Sequence, residues 1–257
     1  MTITQQWVAF RTILRKEITR FTRIWVQTLI PPVITMGLYF VIFGHLIGER
    51  IGQMGGFDYM SFVVPGLVMM AVINNSYSNV VSSFFSAKFH RSIEELLVSP
   101  TPSYIILLGY VAGGVLRGLA VGGIVTLAST FFTNFIIENP WLTVLVILLT
   151  SSLFSVAGLI NAIFANSFDD ISIIPTFILT PLTYFGGVFY SISMLPEFWQ
   201  NVSQFNPILY MVNAFRYGFL GVSDVNVYLA VSGIAGMLVA AYLLAWYLLQ
   251  KGRKLRS

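Results

Sequence analysis

Long apolar runs broken by short polar punctuation set the pattern of this chain. Six runs are candidate membrane-crossing helices, at about residues 25–46, 60–86, 104–133, 141–165, 171–190 and 227–249. A crossing helix needs about 20 mostly apolar residues. Turn-forming stretches separate the runs: "GERIGQMGGFD" follows the first, "SPTPS" precedes the third, "ENP" follows the third and "NSFDD" the fourth. A further stretch, "NPILYMVNAFRYGFLG" at 206–221, is apolar, too short to cross and carries Arg216. It reads as a re-entrant or interfacial hairpin on the outer side, before the last run.

The residues before the first run follow a different period. Trp7, Phe10, Leu14, Ile18, Phe21 and Trp25 recur every three or four positions, with Arg15, Lys16, Arg20 and Arg23 on the other side. A basic amphipathic helix of this kind lies in the headgroup plane, its charges toward anionic lipid. The bland alternative is a simple topogenic flank. The segment is not a signal peptide, because its basic region is long and no small-residue cleavage site follows. With no linker and no internal repeat, the expected organisation is one transmembrane domain over 1–257. It comprises an amphipathic helix at 1–24, six spans within 25–250 and a basic cytoplasmic tail at 251–257.

Composition turns this pattern into a class. Hydrophobic residues make up 56% of the chain and charged residues 9%, against about 45–50% and 25% in soluble domains. So few polar groups cannot clothe a soluble surface, so lipid covers the outside. Barrels read as alternating segments of about ten residues, whereas these runs are unbroken. The expected fold is therefore all-α and polytopic. With no cysteine, disulfides and Cys-based metal sites are excluded. Lys and Arg set the orientation. Arg11, Arg15, Lys16, Arg20, Arg23, Lys88, Arg91, Lys251, Arg253, Lys254 and Arg256 fall on one side, and only Arg50 and Arg216 on the other. Both termini are thus expected in the cytoplasm, which an even number of spans satisfies.

Candidate chemistry is sparse. The two histidines, His45 and His90, fall in loops on opposite sides, which disfavours a metal cluster or a catalytic triad. No G-x-x-x-x-G-K-[ST] motif exists, so the chain does not cradle nucleotide phosphates by that route. Energy for active work must come from a partner or an ion gradient. Arg117 is the one clear charge inside a span, flanked by Gly109, Gly113, Gly114, Gly118 and Gly122. It is either satisfied at a packed helix interface or placed on a pathway. Asn75, Ser78, Asn79, Ser82 and Ser86 form a polar stripe along the second span. The stripe is either hydrogen-bond glue between helices or the lining of a path. Pro175 and Pro181 mark kinks in the fifth span. One short segment collects Lys88, His90, Arg91, Glu94 and Glu95 between spans two and three.

The stretch "YFGGVFYSISMLPEFWQNVSQFNPILYMVNAFRYGF", residues 184–218, resembles the signature of type-2 ATP-binding-cassette (ABC) exporter permeases. The matching elements are Phe185–Gly186–Gly187, Leu195–Pro196 with Phe198 and Trp199, Asn206–Pro207, and Arg216. The amphipathic start, six spans, charged first loop and hairpin extend the resemblance over the chain. It implies a transporter of two such subunits in a bacterial inner membrane. Two copies of a separate ATPase subunit, which carries the ATP and Mg, would dock on the cytoplasmic side. No cofactor in this chain and no nucleic-acid partner are implied. The hairpin, with Pro196, Trp199, Pro207 and Arg216, would partly cap the path. Lys88, His90, Arg91, Glu94 and Glu95 would form the coupling helix that seats in the ATPase, with Asp169 and Asp170 as a weaker contact. Asn75, Ser78, Asn79, Ser82 and Arg117 would flank the path. The rival reading is a passive channel or a gradient-driven carrier. The stripe and aromatics suit lipids, glycans and amphipathic drugs alike, so the residues name no substrate.

Overall fold

The structure, a computed structural model, describes residues 1–133 and 137–252, with His45 and Glu49 described by backbone alone. The tail cations Arg253, Lys254 and Arg256 lie outside the described residues.

Helix α1 (Ile3–Arg23) opens on a capping box, in which Thr2 accepts from the Gln5 amide and Gln5 reaches back to the Thr2 amide. After a break at Ile24, α2 (Trp25–Tyr39) runs through Pro31 and Pro32 into a π-helical stretch, Phe40–Ile47, and then α3 (Gly48–Ile51). The punctuation that follows is a small antiparallel hairpin, β1 (Gln53–Met54) and β2 (Phe57–Asp58), turned at Gly55–Gly56.

Helix α4 (Tyr59–Phe89) starts at Asp58, whose carboxylate accepts from the Met60 amide. Its 31 residues span about 46 Å, against a hydrocarbon core of about 30 Å. It is buried nearly all round, apolar over most of its surface and polar along one stripe. Within its crossing window 89% of residues are buried, against 17% for the window that begins α2. After a tight corner at His90 and Arg91 comes α5 (Ser92–Val98), then α6 (Ser103–Ser129) and α7 (Pro140–Phe164). The core is α4 packed chiefly against α6 and α7.

The glycines of α6 set these approaches. A side chain at Gly109 or Gly113 would strike Ile13 or Glu17 of α1. One at Gly114 or Gly118 would strike Ser155 of α7 or Ser76 of α4. One glycine row thus receives α1, and the other receives α4 and α7. Helix α1 runs alongside α6 in the same direction, since Gln6 meets Tyr104 while Glu17 meets Gly113. The amphipathic helix is therefore also a packed one. It presents Ile13, Glu17 and Phe21 to the protein and leaves Trp7 exposed.

Among the described residues, five helical stretches are long and apolar enough to cross a membrane: Trp25–Gly44, α4, α6, α7 and Val227–Lys251 (α12). The run expected at 171–190 is a shorter composite. It consists of α8 (Asp170–Ile174), a π turn over Pro175–Leu179, and α9 (Thr180–Tyr184). Pro175 and Pro181 each remove a ladder donor, and Gly186–Gly187 ends the helix. The hairpin segment forms α10 (Glu197–Gln204) and α11 (Pro207–Leu220), and α11 packs on α4, α7 and α12.

Candidate functional site

At one end of α4 the two short loops of the chain meet. His90 closes α4, its Nδ1 2.8 Å from the Ser86 carbonyl. Arg91 then takes the left-handed conformation, with φ 60°, and turns the chain into α5. Ile93 is fully buried and anchors that helix. Glu95 and Arg91 are exposed, and Glu94 is half-buried.

Lys88 does not project outward. Its ammonium donates to the Ile163 and Ala165 carbonyls, each at 2.7 Å. It closes the C-terminus of α7, where free carbonyls and the helix dipole favour a cation. Phe168 packs edge-on against Phe85, with centroids 4.9 Å apart, and lies 5.1 Å from Phe89. The loop after α7 is thereby bound to the α4–α5 corner.

Asp169 is exposed, whereas Asp170 is engaged within its own loop. Its carboxylate accepts from the Asn166 and Ser167 amides at 2.8 and 3.2 Å and from the Ser167 hydroxyl at 2.8 Å. These donors, the Asn166 amide first, hold it below the usual carboxylate range. On the joined surface Phe89, Val98, Phe164 and Phe168 stand exposed. Apolar groups rimmed by Arg91, Glu95 and Asp169 have the makeup of a protein interface.

Further along α4, the stripe and the intramembrane arginine prove to be one contact. Arg117 donates to the Asn75 side chain at 3.2 Å, while Asn75 donates back to the Ala71 carbonyl at 3.0 Å. One turn away, Arg20 of α1 donates to the side-chain and backbone oxygens of Asn79, at 2.7 and 2.8 Å. Ser82 donates to the Ser78 carbonyl at 2.7 Å, and both serines are half-buried. The stripe therefore divides. Its asparagines tie α1 and α6 to α4, and its serines remain partly open.

The residue that sequence reasoning missed is Glu17. It is wholly buried, accepts from Ser83 at 2.6 Å and pairs with Arg20 at 3.2 Å. The available signal was its being the lone acid among the cations of α1.

At the opposite end, the signature residues converge. Trp199 stacks on Phe185, with centroids 5.8 Å and planes 16° apart. Pro196 precedes α10, and Pro207 opens α11 beneath Asn206. Asn206 donates to the Leu182 carbonyl at 2.6 Å and accepts from the Ile208 amide. Arg216 is not a surface charge. It is 1% exposed and lies 3.9 Å from the Phe62 ring centroid. It donates to the Gly187 carbonyl at 2.6 Å and the Phe62 carbonyl at 3.3 Å. Gly187 has φ +71°, a conformation open to glycine at no steric cost, and this aims its carbonyl at the guanidinium. Among the described residues no group of three or more His, Asp or Glu is placed to hold a metal ion.

A buried central helix, apolar helices around it, a charged two-loop surface at one end and an arginine-locked hairpin at the other define a polytopic helical membrane protein. The family model for ABC-2 type transporters matches residues 8–220, and the chain belongs to that family. It is 60% identical over 251 residues to the Inner membrane transport permease YadH of Escherichia coli K12, covering 98% of each chain. The same figures hold for YadH of Shigella flexneri. Nodulation protein J of Rhizobium leguminosarum bv. trifolii is 24% identical over 222 residues, covering 83% of this chain and 82% of that protein.

Proposed function

We propose that this chain is the permease subunit of an ABC exporter in a bacterial inner membrane. Two copies form the path, and two copies of a separate ATPase, which binds ATP and Mg, drive it. The joined surface of α5 and the loop after α7 carries this reading. Ile93 and the Lys88 bonds make it rigid, and its exposed phenylalanines give it an apolar centre. A rigid contact transmits force where a floppy loop absorbs it. Arg91, Glu94, Glu95 and Asp169 offer the partner its charged contacts, while Lys88 and Asp170 shape the surface. His90, exposed at the corner, belongs to the same face. Ser78 and Ser82 line the path, with Asn75, Asn79 and Arg117 in its wall. Pro196, Trp199, Pro207 and Arg216 build the cap on the outside, and both termini lie in the cytoplasm. The similarity to the YadH inner membrane transport permeases supports transport at the inner membrane. The faces of α2 and α12, 17% and 11% buried in their crossing windows, meet lipid or the second copy.

The test is purification with an ABC ATPase and measurement of its hydrolysis. Glu94→Lys with Glu95→Lys places like charge at the dock, and neither residue lies in a span. The double variant is expected to insert normally and to lose the ATPase, with partial recovery at high salt through screening. Glu138→Lys, exposed beyond the far end of α6, is the control. Undiminished coupling in the double variant sinks the docking assignment. Transport in vesicles without any ATPase sinks the exporter reading in favour of a channel or gradient-driven carrier. Single cysteines at Glu95 and Asn201, in a chain with none of its own, are expected to label from opposite sides of the membrane.

A further inference from the structure

The two helices of the hairpin are held unequally. Helix α11 packs on α4, α7 and α12 and carries the sealed Arg216. Helix α10 buries a single residue, Ser203, whose hydroxyl has no partner among the described residues. Its apolar side chains Phe198, Trp199 and Val202 stand exposed, as do Met194 before it and Phe205 after it. Trp199 stacks on Phe185, but both rings are exposed. An element that buries so little apolar surface is weakly fixed by packing, and its position depends on ties at its ends.

Those ties are polar. After α10, Asn206 holds the Leu182 carbonyl. Before it, the turn at Ser191 and Ile192 is gripped by Asp224, from the loop between α11 and α12. One Asp224 carboxylate oxygen accepts from the Ser191 hydroxyl at 2.7 Å, and the other accepts from the Ile192 amide at 3.1 Å. Asp224 is itself fixed in place. Its amide donates to the Asn213 side chain at 2.9 Å, and Asn213 is fully buried on α11, one turn before Arg216. The gripping residue is thus mounted on the locked helix, and what it grips is the start of the loose one.

The grip is also reversible by its nature. Asp224 is exposed, so water can take the place of its donors, and a hydrogen bond exchanged for water nets little. A sealed contact such as Arg216 has no such substitute.

We propose that Asp224 is the clasp of the outer cap. It holds α10 down over the path, and its release of Ser191 and Ile192 lets α10 lift while α11 stays in place. Asp224 acts through α10, as a positioning residue. The inference rests on reading the hairpin as the outer cap of a transport path, so the grip and the sealing are tested apart. Neither readout involves an ATPase, so loss of the exporter reading leaves the test standing.

The grip is read by hydrogen exchange on the purified full-length chain, comparing wild type with Asp224→Ala. Loss of two bonds to a carboxylate is expected to speed exchange in α10 about tenfold or more, with α11 exchange and Tm close to wild type. Asp224→Asn keeps one acceptor and is expected to fall between. Glu197→Gln removes a charge from α10 without touching the clasp and is expected to match wild type. The sealing is read with Ser78→Cys, in a chain that has no cysteine of its own. A membrane-impermeant maleimide added outside spheroplasts is expected to label Cys-substituted Ser78 when Asp224 is also Ala, and to leave it unlabelled when Asp224 is intact. Unchanged α10 exchange in Asp224→Ala overturns the clasp. Equal acceleration in α10 and α11, or a large loss of Tm, makes Asp224 a general support of the hairpin and overturns it too. Fast α10 exchange with position 78 still unreached from outside overturns the sealing of the path.

Discussion

The hairpin end and the middle of α4, where α1 packs, hold arginines in opposite ways. At the hairpin end, Arg216 is sealed in, donating to two backbone carbonyls and lying over the Phe62 ring. Those carbonyls belong to α4 and to the turn at Gly187, so three chain segments meet on one side chain. At the α1 end, Arg20 and Arg117 are held mainly by side chains, Asn79, Glu17 and Asn75, from separate helices. Backbone acceptors are fixed by their own secondary structure, whereas side-chain acceptors rotate. The hairpin end is therefore built as a lock. The α1 end is built as an adjustable joint.

Removing Arg216 is the harshest test of that contrast. Arg216→Ala strips a bond from the Gly187 and Phe62 carbonyls and opens a space between α4 and α11. Each buried acceptor left unpaired costs about 1–3 kcal/mol, and the cavity left by the side chain adds to that. The expected outcome is little or no monodisperse protein after extraction, read by size-exclusion chromatography and Tm. Arg216→Lys, which keeps the charge but loses the planar fork, is expected to fall between. A fully stable Arg216→Ala protein removes the lock.

The same operation at the other end is expected to be milder. Glu17→Leu leaves Ser83 without its acceptor and Arg20 without its ion pair, at about 1–3 kcal/mol. Arg20 softens the loss, being partly exposed and still bonded to Asn79. Glu17→Gln keeps an acceptor for both and is expected to sit close to wild type in Tm. If Glu17→Leu proves as damaging as Arg216→Ala, the two ends are equally rigid and the contrast fails.

Neither end was legible as a network from the sequence, although most of the scaffold was. The long helices follow directly from apolar length, and the amphipathic start and the charged α5 follow from periodicity and charge. Which helix stands at the centre ran against simple hydropathy. The most buried, α4, has a mean hydropathy of 1.3, while largely exposed α12 has 2.1. The reason is physical. Lipid demands an apolar surface, and only a buried helix carries asparagines and serines along a face. The polar stripe, rather than the apolar score, was the signal for the centre. Pro175 and Pro181 signalled the broken segment. Glu17, Lys88 and Arg216 were opaque because each has partners far away in the chain, and composition counts a buried strut and a surface charge alike.

The smallest expected effect comes from a change that touches neither network. Arg91 is the only non-glycine with positive φ among the described residues, at the corner where α4 turns into α5. A side chain in that conformation costs about 1–2 kcal/mol. Glycine relieves the strain but adds freedom to the unfolded chain, worth about 0.5–1 kcal/mol in the other direction. Arg91→Gly is therefore expected to leave stability unchanged or to raise it by up to about 1 kcal/mol. The corner's backbone bonds, from Arg91 to the Lys88 carbonyl and from Glu94 to the Arg91 carbonyl, survive the change. An unchanged or raised Tm with weakened ATPase recruitment marks the guanidinium as a docking contact. A lowered Tm contradicts the strained corner and shows that the side chain supports the loop end instead.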